Sequence, residues 1–147
     1  MSRRLLCCTL VVVSTLGSVG CDESLSDVTG PTPNLEPTFS SIQQYIFNSG
    51  DSSGRPACTN CHNPVLNRGL LDLSPGVSYN NLVNRGSILR PGATRVIPSD
   101  PDNSYLIHKL EGNVPITGVR MPLGGPYLEN GQILVIRRWI ETGAPNN

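Results

Sequence analysis

The stretch Cys58-Thr59-Asn60-Cys61-His62 is a C-x-x-C-H pattern, and its reading decides what kind of domain this chain can form. Two thiols at this spacing match the two vinyl-derived carbons on one edge of a porphyrin, and the adjacent histidine falls beneath the iron as proximal ligand. The pattern is therefore the attachment signature of a c-type haem. Two other chemistries use similar spacings. A thioredoxin-like redox pair wants a βαβ context, of which the sequence has no sign. A zinc site wants two more ligands, while no cysteine follows Cys61 and His108 is the only other histidine.

A haem held by His62 has a second axial position to fill. Once an N-terminal leader is set aside, the chain has one methionine, Met121, in the loop Val119-Arg120-Met121-Pro122-Leu123. A thioether suits haem iron and raises its reduction potential relative to a second histidine, and the following proline stiffens the loop. A lone methionine is also a common core filler, but this one lies in a Gly/Pro-rich stretch with no apolar helical face. The competing ligand, His108, falls beside Lys109 on the polar side of Ser104–Leu110, where a solvated histidine is expected.

Upstream of the motif, the chain reads as an exported protein. Residues 1–20 have a charged start (Arg3, Arg4), an apolar stretch from Leu5 to Leu16 and a small-residue run, the layout of a secretory signal peptide. The apolar stretch is shorter than the ~20 residues that span a bilayer as a helix. Residues 21–37 are acidic and interrupted by Pro31, Pro33 and Pro37, as suits a flexible tether. Residues 38–147 remain for the folded domain.

The chain has five cysteines among 147 residues, with eleven basic and eleven acidic side chains. Loss of Arg3 and Arg4 with the leader leaves nine basic against eleven acidic, so nothing in the charge draws the protein to nucleic acid. An odd cysteine count fits no simple disulfide framework.

The segment Ser18-Val19-Gly20-Cys21 resembles the lipobox of bacterial lipoproteins, with Ser18 where leucine is usual. That resemblance implies cleavage before Cys21, lipid on its thiol, and an anchor on the periplasmic side of the inner or outer membrane. Further motifs follow the haem signature in one order: Gly69-Leu70-Leu71-Asp72-Leu73, Tyr79-Asn80-Asn81-Leu82-Val83, Val96–Leu106 with its Pro98-Ser99-Asp100-Pro101 core, Arg120-Met121-Pro122, and Trp139-Ile140-Glu141-Thr142-Gly143-Ala144. Together they resemble the class I cytochrome c superfamily, particularly its planctomycete-type domains. The resemblance implies an all-α fold around one covalent haem c, with Cys58 and Cys61 as attachment points and His62 and Met121 as iron ligands.

The scaffold reads as helical on its own terms. Phe39, Ile42, Tyr45 and Ile46 recur at helical spacing, with Ser40, Ser41, Gln43 and Gln44 opposite. Ser74 and Pro75 predict an N-cap and first residue of a short helix to about Val83. A further helix is predicted from Asp102 to Glu111, stopped by Gly112. In the last, Ile133, Ile136, Trp139 and Ile140 form a stripe against Gln132, Arg137, Arg138 and Glu141, with Gly143 as terminator. Leu70, Leu73, Val96, Ile97, Leu106 and Trp139 are candidates for a haem wall or for plain core. Arg90, Arg95, Arg120 and Tyr105 are conceivable partners for propionates, with solvated surface arginine as the default. A backbone carbonyl near Asn63–Leu66 or Pro75 is expected to hold the His62 ring N–H.

These readings converge on a non-enzymatic electron carrier that serves redox protein donors and acceptors transiently while anchored to the membrane. Two alternatives stay open: a haem enzyme or sensor with an open distal site, and a structural haem module within a larger envelope complex.

Overall fold

The computed structural model describes residues 32, 34–113 and 115–147; the leader, Cys21 and most of the tether lie outside them. Within this range the regular structure is helical, with two isolated β-bridges, Val83 to Val96 and Gly86 to Thr94. No helix among the described residues is long and apolar enough to cross a membrane.

Helix α1 begins at Phe39–Ile42, where the Thr38 hydroxyl caps the Ser41 N–H at 3.3 Å. Two further N–H groups of its first turn, those of Phe39 and Ser40, donate to the Asn147 side-chain and backbone oxygens at 2.9 and 2.8 Å. From Gln43 to Phe47 the turn widens to a π-helix, closed by Asn48 N–H to the Gln43 carbonyl at 2.9 Å. Ile46 and Phe47 of this turn are both fully buried.

Helix α2 spans Ser78–Leu82 and starts later than Ser74-Pro75 predicts. Gly76 takes φ of +83°, outside helical geometry, so Ser74 closes a turn instead, its carbonyl accepting from Val77 and Ser78. Helix α3 spans Tyr105–Glu111, not the full stretch from Asp102. Asp100 is the cause: its carboxylate binds the Asn103 backbone and amide, and its carbonyl takes the Ser104 hydroxyl at 2.8 Å. These local bonds hold residues 101–103 in a turn. Gly112 ends α3 with φ of +69°, where it was predicted.

Helix α4, Asn130–Glu141, buries the predicted apolar stripe, and Val135 as well. It opens with a reciprocal cap in which Gln132 accepts from the Glu129 N–H at 2.9 Å and the Glu129 side chain bonds the Gln132 backbone. Gln132 is thus buried, not on the polar face. Helices α3 and α4 pack together, and Arg137 of α4 pairs with Glu111 at 3.0 Å and with Asp102.

The core sits between the chain's two ends. Phe39 lies 5.4 Å from the Trp139 ring and meets Tyr79 edge-on at 5.1 Å and Phe47 at 6.4 Å. Trp139 is fully buried and donates its indole N–H to Pro145, and the Tyr79 hydroxyl donates to Ala144, each at 2.9 Å. Pairs of this kind contribute about 0.5–1.5 kcal/mol each beyond the area they bury. Around this frame α1, α3 and α4 are fixed, and the functional motifs occupy the long connections between them.

Candidate functional site

The segment linking α1 to the C-x-x-C-H motif is organised by Arg55. This residue is almost wholly buried; its Nη1 donates to the Ile46 and Pro56 carbonyls and its Nη2 to those of Tyr45 and Ser49, all within 3.0–3.2 Å. Its Nε pairs with Asp51 at 2.8 Å. The Tyr45 and Ile46 carbonyls are free because α1 ends at Phe47 and its last turn has no N–H groups ahead to satisfy it; those of Ser49 and Pro56 belong to the link itself. Asp51 also accepts from the Gln132 amide at 3.1 Å, and Gln132 reaches Thr32 at 2.5 Å. Burial pushes the Asp51 carboxyl up, but hydrogen bonds from Ser53, Arg55 and Gln132, with the Arg55 charge, outweigh it and hold the pKa at about 2.

The motif itself starts with a 3₁₀ turn, Cys58–Asn60. The Cys58 thiol points inward, donates to the Ile46 carbonyl at 3.4 Å and packs against the core; the Thr59 hydroxyl donates to Phe47 at 3.0 Å. Burial pushes the Cys58 thiol up to about 11, so it is a neutral thiol near pH 7. Cys61 is exposed, and no disulfide joins the two.

His62 is half-buried beneath this turn. Its backbone N–H donates to Cys58 at 2.9 Å and its carbonyl accepts from Leu73 at 2.9 Å, tying the motif to the chain that follows. The ring Nδ1 lies 2.7 Å from the Arg68 carbonyl. A carbonyl can only accept, so Nδ1 carries the proton and Nε2 keeps its lone pair. The acceptor is of the expected kind and lies just past the expected stretch. It is brought there by the loop Asn63–Arg68, in which the Asn63 side chain caps the Val65 and Leu66 N–H groups and its carbonyl accepts from Asn67. Burial lowers the His62 pKa, hydrogen bonds to Arg68 and Leu71 oppose it, and the charges of Arg95 and Lys109 lower it further. The ring is neutral at pH 7.

Beside the ring, a Cβ on Gly69 would stand 3.9 Å from His62 Cε1 and 3.4 Å from the Leu89 side chain. Large apolar side chains lie open on these loops: Leu66, Leu70, Ile88 and Leu89 are each more than half exposed. Leu73, Val96 and Trp139 are core residues, and Ile97 and Leu106 are half-buried. Arg95 is not a solvated surface arginine. It is buried and donates to the Asn81 and Leu70 carbonyls, both at 2.8 Å. Arg90 lies over the Tyr105 ring and binds Pro115, and Arg120 stacks on Tyr127 at 4.2 Å.

Met121 is half-buried and packs against the core, its N–H donating to the Lys109 carbonyl at 2.8 Å. His108 donates Nε2–H to the Asp102 carbonyl at 2.7 Å, which leaves that nitrogen no lone pair. Cys21 lies outside the described residues. Among the described residues no three His, Cys, Asp or Glu side chains converge as a metal cluster.

The residues present fit a covalently attached haem. Two unbridged thiols stand three positions apart, a neutral imidazole keeps Nε2 available, and large apolar side chains lie uncovered on the neighbouring loops. Arg55 and Asp51 escaped the sequence reading, which placed Gln132 on the polar face of the last helix. The only signal was an arginine inside a Gly/Ser-rich link, which does not say that its guanidinium is buried. No protein-family model, curated protein or solved structure matches the chain.

Proposed function

We propose that this chain is a monohaem c-type cytochrome that carries single electrons between redox proteins of the cell envelope. Its haem is attached through Cys58 and Cys61, its iron is ligated by His62 and Met121, and a lipid on Cys21 holds it to the membrane. The observation that carries this reading is the His62 Nδ1–H donated to the Arg68 carbonyl at 2.7 Å, directly beside two unbridged thiols. A metal-binding histidine characteristically spends its second nitrogen on such a carbonyl, which fixes the tautomer and the ring plane.

Bound haem supplies the one-electron Fe(III)/Fe(II) couple. The chain's own residues do the rest. Cys58, held from within by the Ile46 carbonyl, and Cys61, open to solvent, tether one edge. His62 stays neutral, and its ring cannot turn without losing the Arg68 bond. Burial, with the charges of Arg95 and Lys109, keeps the His62 ring neutral, the form in which it would ligate iron. Leu66, Leu70, Ile88 and Leu89, left open to solvent on these loops, are the apolar side chains that bound haem would cover. His108 is held by the Asp102 carbonyl through Nε2–H, which ties its ring to the turn before α3. Partners dock weakly at the Cys61 edge, and a shared membrane surface raises their effective concentration.

Exported with its own leader in a host that matures c-type cytochromes, the protein is expected to give a pyridine haemochrome spectrum whose haem stays with the denatured polypeptide. Absence of covalent haem would overturn the proposal. Met121→Ala is expected to abolish the near-infrared charge-transfer band of the oxidised protein, and a retained band would exclude Met121 as the ligand.

A further inference from the structure

Lys109 is the only lysine in the chain, and its side chain is not left to solvent. Its ammonium donates to the Thr117 carbonyl at 3.0 Å and to the Val119 carbonyl at 2.5 Å. Its own carbonyl accepts the Met121 N–H at 2.8 Å. One residue thus holds three points of the five-residue stretch Thr117–Met121. The stretch has no ladder partner of its own, and α3 ends at Gly112 with carbonyls that lack intrahelical partners. Each supplies what the other lacks: Lys109 and Leu110 of the last helical turn accept from Met121 N–H and from Arg120 Nε at 2.6 Å.

A flexible four-carbon stem loses rotamer entropy when its end is fixed, which offsets part of what its two charge-assisted bonds to loop carbonyls contribute. Tyr105, one helical turn before Lys109, adds a fourth point by accepting the Thr117 N–H at 3.0 Å. The contacts converge on the residues that immediately precede Met121.

We propose that Lys109 is the positioning residue for Met121: its ammonium and carbonyl clamp the Thr117–Met121 loop to the end of α3 and so set how firmly the methionine serves as a ligand. This rests on the reading of Met121 as distal ligand.

The test uses the mature holoprotein and the variants Lys109→Gln, Lys109→Leu and Lys109→Arg, beside Met121→Ala. In the wild type the near-infrared band is expected, and it is lost in Met121→Ala. Lys109→Gln and Lys109→Leu are expected to weaken the band, to bind exogenous imidazole at the ferric iron about tenfold more tightly (~1.4 kcal/mol), and to lower the midpoint potential. Hydrogen exchange at the Met121 amide is expected to rise at the same time. Lys109→Arg, which keeps charge and donors, is expected to restore most of the band. If both neutral variants keep wild-type band intensity, imidazole affinity and exchange while Met121→Ala loses the band, the clamp is overturned and the ligand reading stands. If the wild type lacks the band, the ligand reading fails and the clamp fails with it.

Discussion

Arg55 and Cys58 share one acceptor: the Ile46 carbonyl takes a hydrogen bond from Arg55 Nη1 at 3.2 Å and another from the Cys58 thiol at 3.4 Å. That oxygen lies in the last turn of the first helix. The C-x-x-C-H motif is therefore registered against α1 by the same buried guanidinium that satisfies the helix end.

Arg55→Leu removes the cation from Asp51 and the donors from four carbonyls. Loss of one partner of a buried ion pair costs about 3–5 kcal/mol. Urea unfolding is expected to show a loss in that range, and Asp51→Asn combined with Arg55→Leu is expected to lose less than the two single changes added together. Full additivity would mean that the two side chains act independently.

Asp51 makes stability dependent on acid. Its folded pKa, about 2, lies below the ordinary value of 3.8, so the unfolded chain takes up the proton first as pH falls. The contribution is complete above about pH 4 and is lost as pH drops through about 2, with a size of about 2 kcal/mol. Acid titration of stability in wild type and Asp51→Asn checks this: the variant is expected to be less stable at pH 7 and to show a flatter acid limb.

Gly50 is required by the same link. A Cβ there would stand 2.5 Å from the Arg55 carbonyl oxygen, a backbone atom that cannot step aside alone. Gly50→Ala is expected to cost about 2–3 kcal/mol, the upper part of the overpacking range. Gly76→Ala, at φ of +83° with open space around it, is expected to cost about 1 kcal/mol from backbone strain alone. Thermal or urea melts of the two variants give the order, and equal losses would contradict the steric argument.

Trp139 tests the core. Trp139→Ala is expected to destabilise by about 3–5 kcal/mol. Trp139→Phe keeps a ring against Phe39 but leaves the Pro145 carbonyl without its donor, and about 1–2 kcal/mol is expected. Equilibrium unfolding followed by far-UV circular dichroism separates the two.

Much of this was legible in the chain. The C-x-x-C-H spacing, the α4 stripe with Gly143 behind it, and the stop of α3 at Gly112 are local patterns, set by a few consecutive residues and by the period of a helix. The errors cluster where local bonds compete with helix formation. Gly76 at positive φ delays α2, and the Asp100 side chain holds 101–103 in a turn before α3.

The tertiary structure alone decided which polar side chains leave water. Arg55 and Arg95 are buried because free carbonyls at a helix end and in long loops need donors, and Gln132 because its amide joins the Glu129 N–H, the Asp51 carboxylate and the Thr32 hydroxyl. The same need brings the Arg68 carbonyl to His62 and the Lys109 ammonium to the loop before Met121. Spacing in sequence is what the proposal of His62 as a ligand starts from, since the C-x-x-C-H pattern is set by five consecutive residues. The bonds that fix the His62 ring and the stretch before Met121 reach only to the next few residues, but they depend on turns whose shape the spacing alone does not specify.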